Sequence, residues 1–590
     1  MYQRSFFHPR KYLPTIHNNK HYYHHHYHHY GAGYVTSTTT SSRRRLTSSS
    51  LSFHTNDYTN TNDSVRHNNH HNNHQKLEQL ESNSKLQLAP MMEYTDRHFR
   101  HLVRLISNRT LLYTEMVAAN SLAYERRHHM ESYIKDHPHA TSEQVRRHYS
   151  DEYLRRFLRQ GSMEPYEGPS VLQLGGSDPI IMKEAAETVM DLSRRGYCDY
   201  TAINLNCGCP SPKVAGKGCF GAALMDDPHL VAKLTQALHD GCDGTLPISV
   251  KCRIGTDTHQ PFTKMGYQQR QPKEEKLEYQ KLCHFIETVA SNGIVTDFGV
   301  HARIAVLSKS FSPADNRKIP PLKYDMVRRL VQDYPQFTFT LNGGIDSLSQ
   351  AQEQLDQCPN LRGVMIGRAW AADPWSFAMA DHVLYGDDVP TKTRLDILQE
   401  YGRHADHEEQ SIDDPVKIRR FLIKAITTLF AGEPNAKKYR IALDEIAGIP
   451  KRIQQQGQQQ NGQSYNNVME GQPPLSDLIL NVAHTHLSEE VLLRSPQESY
   501  ERKLWEEEKT KRDRATIMAV TAGANNTNNN SNNINTDNAI GRSDAVAEWQ
   551  SDRQQEKEQQ QQGVITGAYE AALAGDESSP FAIVTTTPQS

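Results

Sequence analysis

Between residues 86 and 366 a short apolar run followed by a segment of helical spacing recurs eight times, and few folds accept that rhythm. The runs predict strands at Leu86–Met91, Leu111–Val117, Val171–Leu174, Ile203–Asn206, Ile248–Cys252, Phe298–His301, Phe337–Asn342 and Val364–Ile366. The segments between them carry 3.6-residue spacing, as in Phe99, Leu102, Val103 and Ile106, or Leu282, Phe285, Ile286 and Val289. Eight such units over about 300 residues suit a closed parallel (β/α)8 barrel better than an open, doubly wound sheet.

A barrel of this kind does its chemistry at the carboxyl ends of its strands. In order those ends carry Pro90 and Met91, Glu115, Gln173, Asn206 with Cys209, Lys251 with Arg253, His301 with Arg303, Asn342 with Gly343 and Gly344, and Gly367 with Arg368. Any one of them alone reads as a capped or solvated loop. Their gathering at one end of one barrel points to a site.

The fourth end is the sharpest. Ile203 and Leu205 face one side of the strand and Asn204 and Asn206 the other, and Gly208 and Pro210 then stop it with Cys209 at the tip. Cysteine at a strand tip is placed for chemistry, against the alternative of a small buried hydrophobe. After the seventh and eighth strands, Asn342-Gly343-Gly344 and Gly367-Arg368 offer bare backbone amides and a guanidinium, which is how such barrels hold a phosphate; a phosphorylated cofactor such as FMN fits.

Outside the barrel the chain divides in three. Residues 1–84 are rich in His, Asn, Ser, Thr and Tyr, hold no acid before Asp57, and carry Arg4, Arg10, Lys11, Lys20 and Arg43 to Arg45; an organelle transit segment and an ordinary tail both fit. The His24–His26 cluster with His28 and His29 lacks a carboxylate or thiol and reads as inert, so no metal site is expected. After the barrel at 85–385, residues 386–507 show helical periodicity at Val416–Phe430, Asn435–Ala447 and Leu475–Leu493, with basic residues at Lys417, Arg419, Arg420, Lys424, Lys437, Lys438 and Arg440. That is a small helical domain whose charges are either a solvated face or a phosphate-tracking one. Residues 508–590, with Asn and Gln tracts, read as a disordered tail.

A net charge of −3 excludes bulk affinity for polyanions, so any nucleic-acid site is local. All eight cysteines fall between Cys198 and Cys358 without a repeating pair, which indicates a reducing compartment rather than a disulfide framework or zinc ribbon. The low mean hydropathy of −0.73 comes from the two ends, and no apolar run is long enough for a membrane span. Segments 118–170 and 256–276 are longer than a minimal barrel needs; the first, with Arg126, Arg127, Arg146 and Arg147, is expected to extend the catalytic face.

Taken together, Ala89-Pro90-Met91 with Thr95-Asp96-Arg97, Leu112-Tyr113-Thr114-Glu115-Met116, Leu172-Gln173-Leu174-Gly175-Gly176-Ser177, Asn204 to Ser211, Val250-Lys251 with Arg253, His301-Ala302-Arg303, Asn316-Arg317, Asn342-Gly343-Gly344, Gly367-Arg368 and Leu429-Phe430-Ala431-Gly432 resemble the tRNA-dihydrouridine synthases. The nearest likeness is to the branch acting at positions 20 and 20a of the D loop. The resemblance implies an FMN-dependent barrel joined to a tRNA-binding helical domain, with NADPH as reductant and tRNA as substrate.

By motif position, Pro90, Met91, Gln173, Lys251, His301, Asn342, Gly343, Gly344, Gly367 and Arg368 would contact FMN and Cys209 would donate a proton. Asn206, Arg253, Arg303, Asn316 and Arg317 would sit by the uridine or its flanking RNA, and Lys437 and Arg440 on the RNA backbone. A monomer in the cytoplasm, or in a mitochondrion or plastid if the basic start is a transit segment, is expected. Two other readings stay open on the residues: an FMN barrel acting on a free small molecule, and a flavin-free RNA-binding protein that keeps the barrel as scaffold.

Overall fold

The computed structural model describes residues 75–527, apart from 142–157, 161–165, 212–213, 215–219, 259–271, 309–310, 411–414 and 460–472. Eight parallel strands form one sheet in the order β1-β8-β7-β6-β5-β4-β3-β2: β1 Leu86–Leu88, β2 Leu112–Ala118, β3 Ser170–Gly175, β4 Ala202–Cys207, β5 Ile248–Arg253, β6 Val295–His301, β7 Thr338–Asn342 and β8 Gly363–Ile366. The sheet closes on itself through a parallel bridge between Gln87 and Leu111, where Leu88 N–H donates to Leu111 C=O at 2.9 Å and Leu111 N–H to Leu86 C=O at 3.0 Å. It is the expected (β/α)8 barrel.

The strands fall within a few residues of their expected places. The largest differences are of three residues: β1, expected to reach Met91, ends at Leu88, and β6, expected from Phe298, begins at Val295. Pro90 has no N–H to give the ladder, and the chain then turns, Tyr94 and Thr95 both donating N–H to Met91 C=O.

Helices pack outside because their apolar stripes have only the sheet to cover. Pro179–Arg194 buries Met182, Ala185, Ala186, Val189 and Leu192 at helical spacing, opened by Asp178, whose carboxylate accepts from the N–H groups of Ile180 and Ile181. The long segment 118–170 is partly a helix, Ala119–Asp136, laid against that neighbour. In 256–276, Thr256 and Thr258 donate to the Asp226 carboxylate, and 259–271 lies outside the described residues.

The barrel floor is closed by a segment expected to belong to the tail. Residues 75–82 are helical, and Leu80 is buried in a cluster with Leu111, Tyr113, Val171, Ala202 and Met365. Lys76 Nζ anchors this helix on Asp199 Oδ1 at 2.9 Å and on Tyr200 C=O at 3.0 Å, both at the amino end of β4.

The helical part contains Arg394–Gln410, Pro415–Ile426, Ala436–Gln459, Leu475–His486 and Glu489–Leu493. The first was not anticipated. The expected single helix Leu475–Leu493 is broken at Leu487, and Ser488 caps the second piece by accepting from Val491 N–H. A helix Pro496–Thr527 then runs past residue 508, where the tail was expected to begin.

This part docks on the barrel helix Arg97–Ile106. There His98 Nδ1 lies 3.1 Å from His404 Nε2, His101 stacks on His404 with ring centroids 4.0 Å apart, and Arg97 pairs with buried Glu408 at 2.8 Å. Burial drives the pKa of His101 and His404 down to about 3, so the seam holds neutral imidazoles at physiological pH.

Leu80→Ala should lower the unfolding free energy by about 3 kcal/mol, the cost of an unfilled leucine-sized void. Urea denaturation checks this; a loss near zero would show that residues 75–82 do not seal the barrel.

Candidate active site

The tip of β4 is organised by Asn206. Its Oδ1 accepts from the N–H groups of Gly208 at 3.0 Å and Cys209 at 3.1 Å, while its Nδ2 donates to Gln173 Oε1 at 3.0 Å. Gln173 Nε2 donates to Asn204 Oδ1 at 2.8 Å, and Asn204 Nδ2 to Ser249 Oγ at 2.9 Å. These buried amides form a line across β3, β4 and β5. Asn204 was not singled out as a site residue, although its alternation with Asn206 puts both on the interior face.

Chain return fixes Cys209 further: Ala222 N–H donates to Cys209 C=O at 2.9 Å, and Gly221, at φ +67, approaches so closely that a Cβ there would lie 2.7 Å from that oxygen. Cys209 is partly exposed, unlike the wholly buried Cys207 and Cys252. Burial pushes the Cys209 thiol up; a backbone bond from Ser211 and the charges of Arg253, Lys251 and Arg317 oppose this without cancelling it. At neutral pH it carries its proton.

Cations surround it. Lys251 Nζ donates to Asn342 Oδ1 at 3.0 Å, and Asn342 Nδ2 donates to Met365 C=O at 2.7 Å, so three strand ends are linked. Burial, then repulsion from Arg253, lowers the Lys251 pKa to about 8. His301 lies well below its ordinary value through burial and the charges of Arg253, Lys251, Arg303 and Arg368, so the ring is neutral. Its buried Nδ1 has no hydrogen-bond partner among the described residues.

Glycine is required where these groups meet. Gly343 sits at φ +111, and a Cβ there would stand 3.0 Å from His301 Nε2. Its C=O accepts from Tyr324 Oη at 2.6 Å, a contact that no local motif in the sequence signals. Gly344 has φ +73, with Leu322 filling the space a side chain would need. Gly367 packs against Met91, whose Sδ would lie 3.0 Å from a Cβ, and Arg368 opens the short helix Arg368–Ala372. Pro90 and Met91, Gln173, Lys251, His301, Asn342, Gly343, Gly344, Gly367 and Arg368 therefore all stand at the carboxyl ends, as expected for one binding region.

Two residues expected beside the substrate are occupied otherwise. Arg253 is buried and donates to the C=O groups of Gly208 at 3.0 Å, Ile304 at 3.0 Å and Asn316 at 3.1 Å. It is a clamp on the Cys209 loop, because a buried guanidinium needs acceptors and backbone carbonyls supply them. Asn316 is wholly buried, accepting from Val306 N–H at 2.7 Å and donating to Val306 C=O at 2.9 Å. Arg303 donates to Pro320 C=O, and Arg317 acts electrostatically on both Cys209 and Tyr94.

The basic residues outside the barrel also divide. Arg419 is buried in a bidentate pair with Glu409, at 2.5 and 2.7 Å, so it cannot track a phosphate. Arg126 pairs with Glu187 and Asp191, and Arg127 with Glu184, all on helix Pro179–Arg194; Arg146, Arg147 and Cys219 lie outside the described residues.

Lys437, Lys438 and Arg420 are exposed and Arg440 half-buried, with Arg420 and Arg440 both acting on Asp444. On the same helix as Arg420, Lys424 reaches the barrel and lies 4.6 Å from the centre of the Tyr94 ring. A basic track thus leads from Arg440 and Arg420 through Lys424, Tyr94 and Arg317 to Cys209.

Arg419→Ala should destabilise the protein by about 3 to 5 kcal/mol, because Glu409 is left with its charge unpaired. Lys437→Ala should change stability by under about 0.5 kcal/mol. Equal effects in denaturant titrations would overturn this division.

The family described as dihydrouridine synthase (Dus) matches residues 87–464. Proteins named tRNA-dihydrouridine(20/20a) synthase are similar to this chain. That of Synechocystis is 34% identical over 364 residues, 62% of this chain and 90% of its own. That of Shewanella oneidensis is 35% identical over 360 residues, 61% and 88% of the two chains. That of Escherichia coli K12 is 33% identical over 365 residues, 62% and 87%. With a protonated thiol at a strand tip of a parallel barrel and a match of this extent, the chain belongs to the dihydrouridine synthase family.

Proposed function

We propose that this protein reduces uridine to 5,6-dihydrouridine in the D loop of tRNA, at positions 20 and 20a, using FMN reduced by NADPH. The observation that carries the reading is Cys209: a thiol kept protonated by burial, held by Asn206 and facing a ring of cations.

The residues fit a flavin phosphate cofactor. Gly343 and Gly344 hold the left-handed turn after β7 and, with Gly367, stand where a Cβ would collide with His301, Leu322 and Met91; Arg368 supplies a phosphate partner, and the unsatisfied His301 Nδ1 awaits a polar group. Lys251, Gln173 and Asn342 offer donors to a ring's carbonyl edge, with Pro90 and Met91 as an apolar wall. When bound, FMN supplies the hydride that reaches C6 of the uracil ring.

The chain then has to deliver a proton to C5. Cys209 Sγ–H is the donor, and the opposing cations Arg253, Lys251 and Arg317 stabilise the thiolate left behind. Reaching the strand ends requires the uridine to leave its stack, and the track of Arg440, Arg420 and Lys424, with exposed Lys437 on the helix of Arg440, would supply phosphate contacts that hold the tRNA while it does.

A barrel acting on a free small molecule would have no use for that track. Protonated Cys209 speaks against a purely RNA-binding scaffold. We further propose that the protein acts as a monomer; no described helix is long and apolar enough to cross a membrane.

Cys209→Ala should keep FMN and tRNA bound and lose at least about 100-fold in dihydrouridine formation on unmodified tRNA, with Cys207→Ala far milder. Mapping of dihydrouridine in the reacted tRNA reads this out; wild-type turnover by the Cys209 variant would sink the assignment.

Since Lys251 is charged only below about 8 in the free protein, FMN affinity should hold steady at neutral pH and fall as pH rises through 8. In Lys251→Met the affinity should be weaker throughout and lose this inflection. Fluorescence titration of flavin-free protein would show whether it persists, which would exclude Lys251 as the titrating group.

A further inference from the structure

Glu93, in the loop after β1, has φ +66, a left-handed conformation that disfavours any residue with a Cβ and persists only where the surroundings impose it. Here two contacts do so, one on each side of the residue. Its N–H donates to the Glu115 carboxylate, in the middle of β2. Its C=O accepts from Lys424 Nζ at 2.5 Å, and that ammonium also lies over the ring of Tyr94, the next residue.

The first contact comes from the barrel and the second from helix Pro415–Ile426 of the helical part. The same short loop carries Met91. Met91 N–H donates to Thr95 Oγ1 at 3.0 Å, and Met91 C=O accepts from Tyr94 and Thr95 at 3.1 and 3.0 Å, so a change at Glu93 or Tyr94 is passed to Met91. Met91 in turn abuts Gly367. A lysine of one part thus holds a strained peptide whose neighbour forms the wall of the other part's site.

The helix bearing Lys424 presents Arg420 and Phe421, exposed (46% for Phe421), four and three residues earlier and therefore on the same face. A polyanion seated there fixes the helix, and with it the ammonium.

We propose that Lys424 is a positioning residue that couples tRNA binding on the helical part to cofactor binding in the barrel, by holding the Met91–Thr95 loop in its strained form. The inference rests on the FMN and tRNA reading above. Coupling of this kind is reciprocal: tRNA tightens FMN by the factor by which FMN tightens tRNA.

Flavin fluorescence quenching in the full-length, flavin-stripped protein tests it without turnover, by titrating FMN with and without saturating unmodified tRNA. In the wild type tRNA should tighten FMN by about 5-fold or more. In Lys424→Met the affinity should be weak in both titrations and the factor close to 1, and Lys424→Arg should restore part of it.

Glu93→Gly should act in the opposite direction. Glycine adopts the left-handed form freely, so FMN should bind the tRNA-free variant nearly as tightly as it binds the wild type with tRNA. A merely structural Lys424 would predict weaker binding in both variants. No effect of tRNA in the wild type, or a wild-type factor in Lys424→Met, overturns the coupling and leaves the functional reading intact. Absence of FMN or tRNA binding to the wild type overturns both.

Discussion

One carboxamide joins the rigid barrel to its reactive loop. Asn206 faces inward from β4, gives its N–H to Gln173 on β3, and takes the N–H groups of Gly208 and Cys209 on its oxygen. An aspartate could accept the same two amides but could not donate to Gln173, and its charge would be buried among amides with no ammonium in the line. Leucine would take the shared acceptor from two N–H groups and the Asn206 donor from the Gln173 side-chain oxygen. The position of the thiol therefore depends on a neutral group able to donate and accept at once, and the amide line through Asn204 to Ser249 fixes that group's orientation in turn.

Burial sets the protonation states around it. Lys251 and His301 both lose affinity for a proton because water is excluded, and neighbouring guanidinium groups add to the effect. Cys209 gains affinity for one by the same exclusion. Desolvation favours every neutral form, so a neutral thiol, a neutral imidazole and an ammonium near its titration point coexist within one concave region at physiological pH.

Much of this was legible in the chain. Alternation and helical spacing located all eight strands, and the polar strand ends located the site, because a parallel barrel leaves function nowhere else to gather. Residue type did not reveal direction. Arg253, Asn316 and Arg419 have the chemistry of ligand-binding residues, but each points to a carbonyl, amide or carboxylate of the protein, and which partner it takes depends on how the chain folds back, over ten residues for Asn316 and Arg419 and over 45 for Arg253. The helix at 75–82 was hidden for a similar reason: one buried leucine in a polar stretch carries no periodicity. A tail beginning at 508 follows composition, yet helix Pro496–Thr527 runs on through that point, with its first turns tied down by Arg502 on Glu433 and by Lys503 on Asp373.

The crowd of cations at the barrel mouth also bears on how the folded state is maintained. Lys251, Arg253, Arg303, Arg317 and Arg368 bring positive charge to one end, where Asp346 is the carboxylate that feels Arg368. Like charges held in a region of low polarisability repel, and part of the folding energy opposes that repulsion. An anionic occupant relieves it, and whatever binds the native state but not the unfolded chain raises the melting temperature with its own concentration. The melting temperature would then report how fully this end is occupied, since the repulsion that opposes folding is the one an anion would relieve.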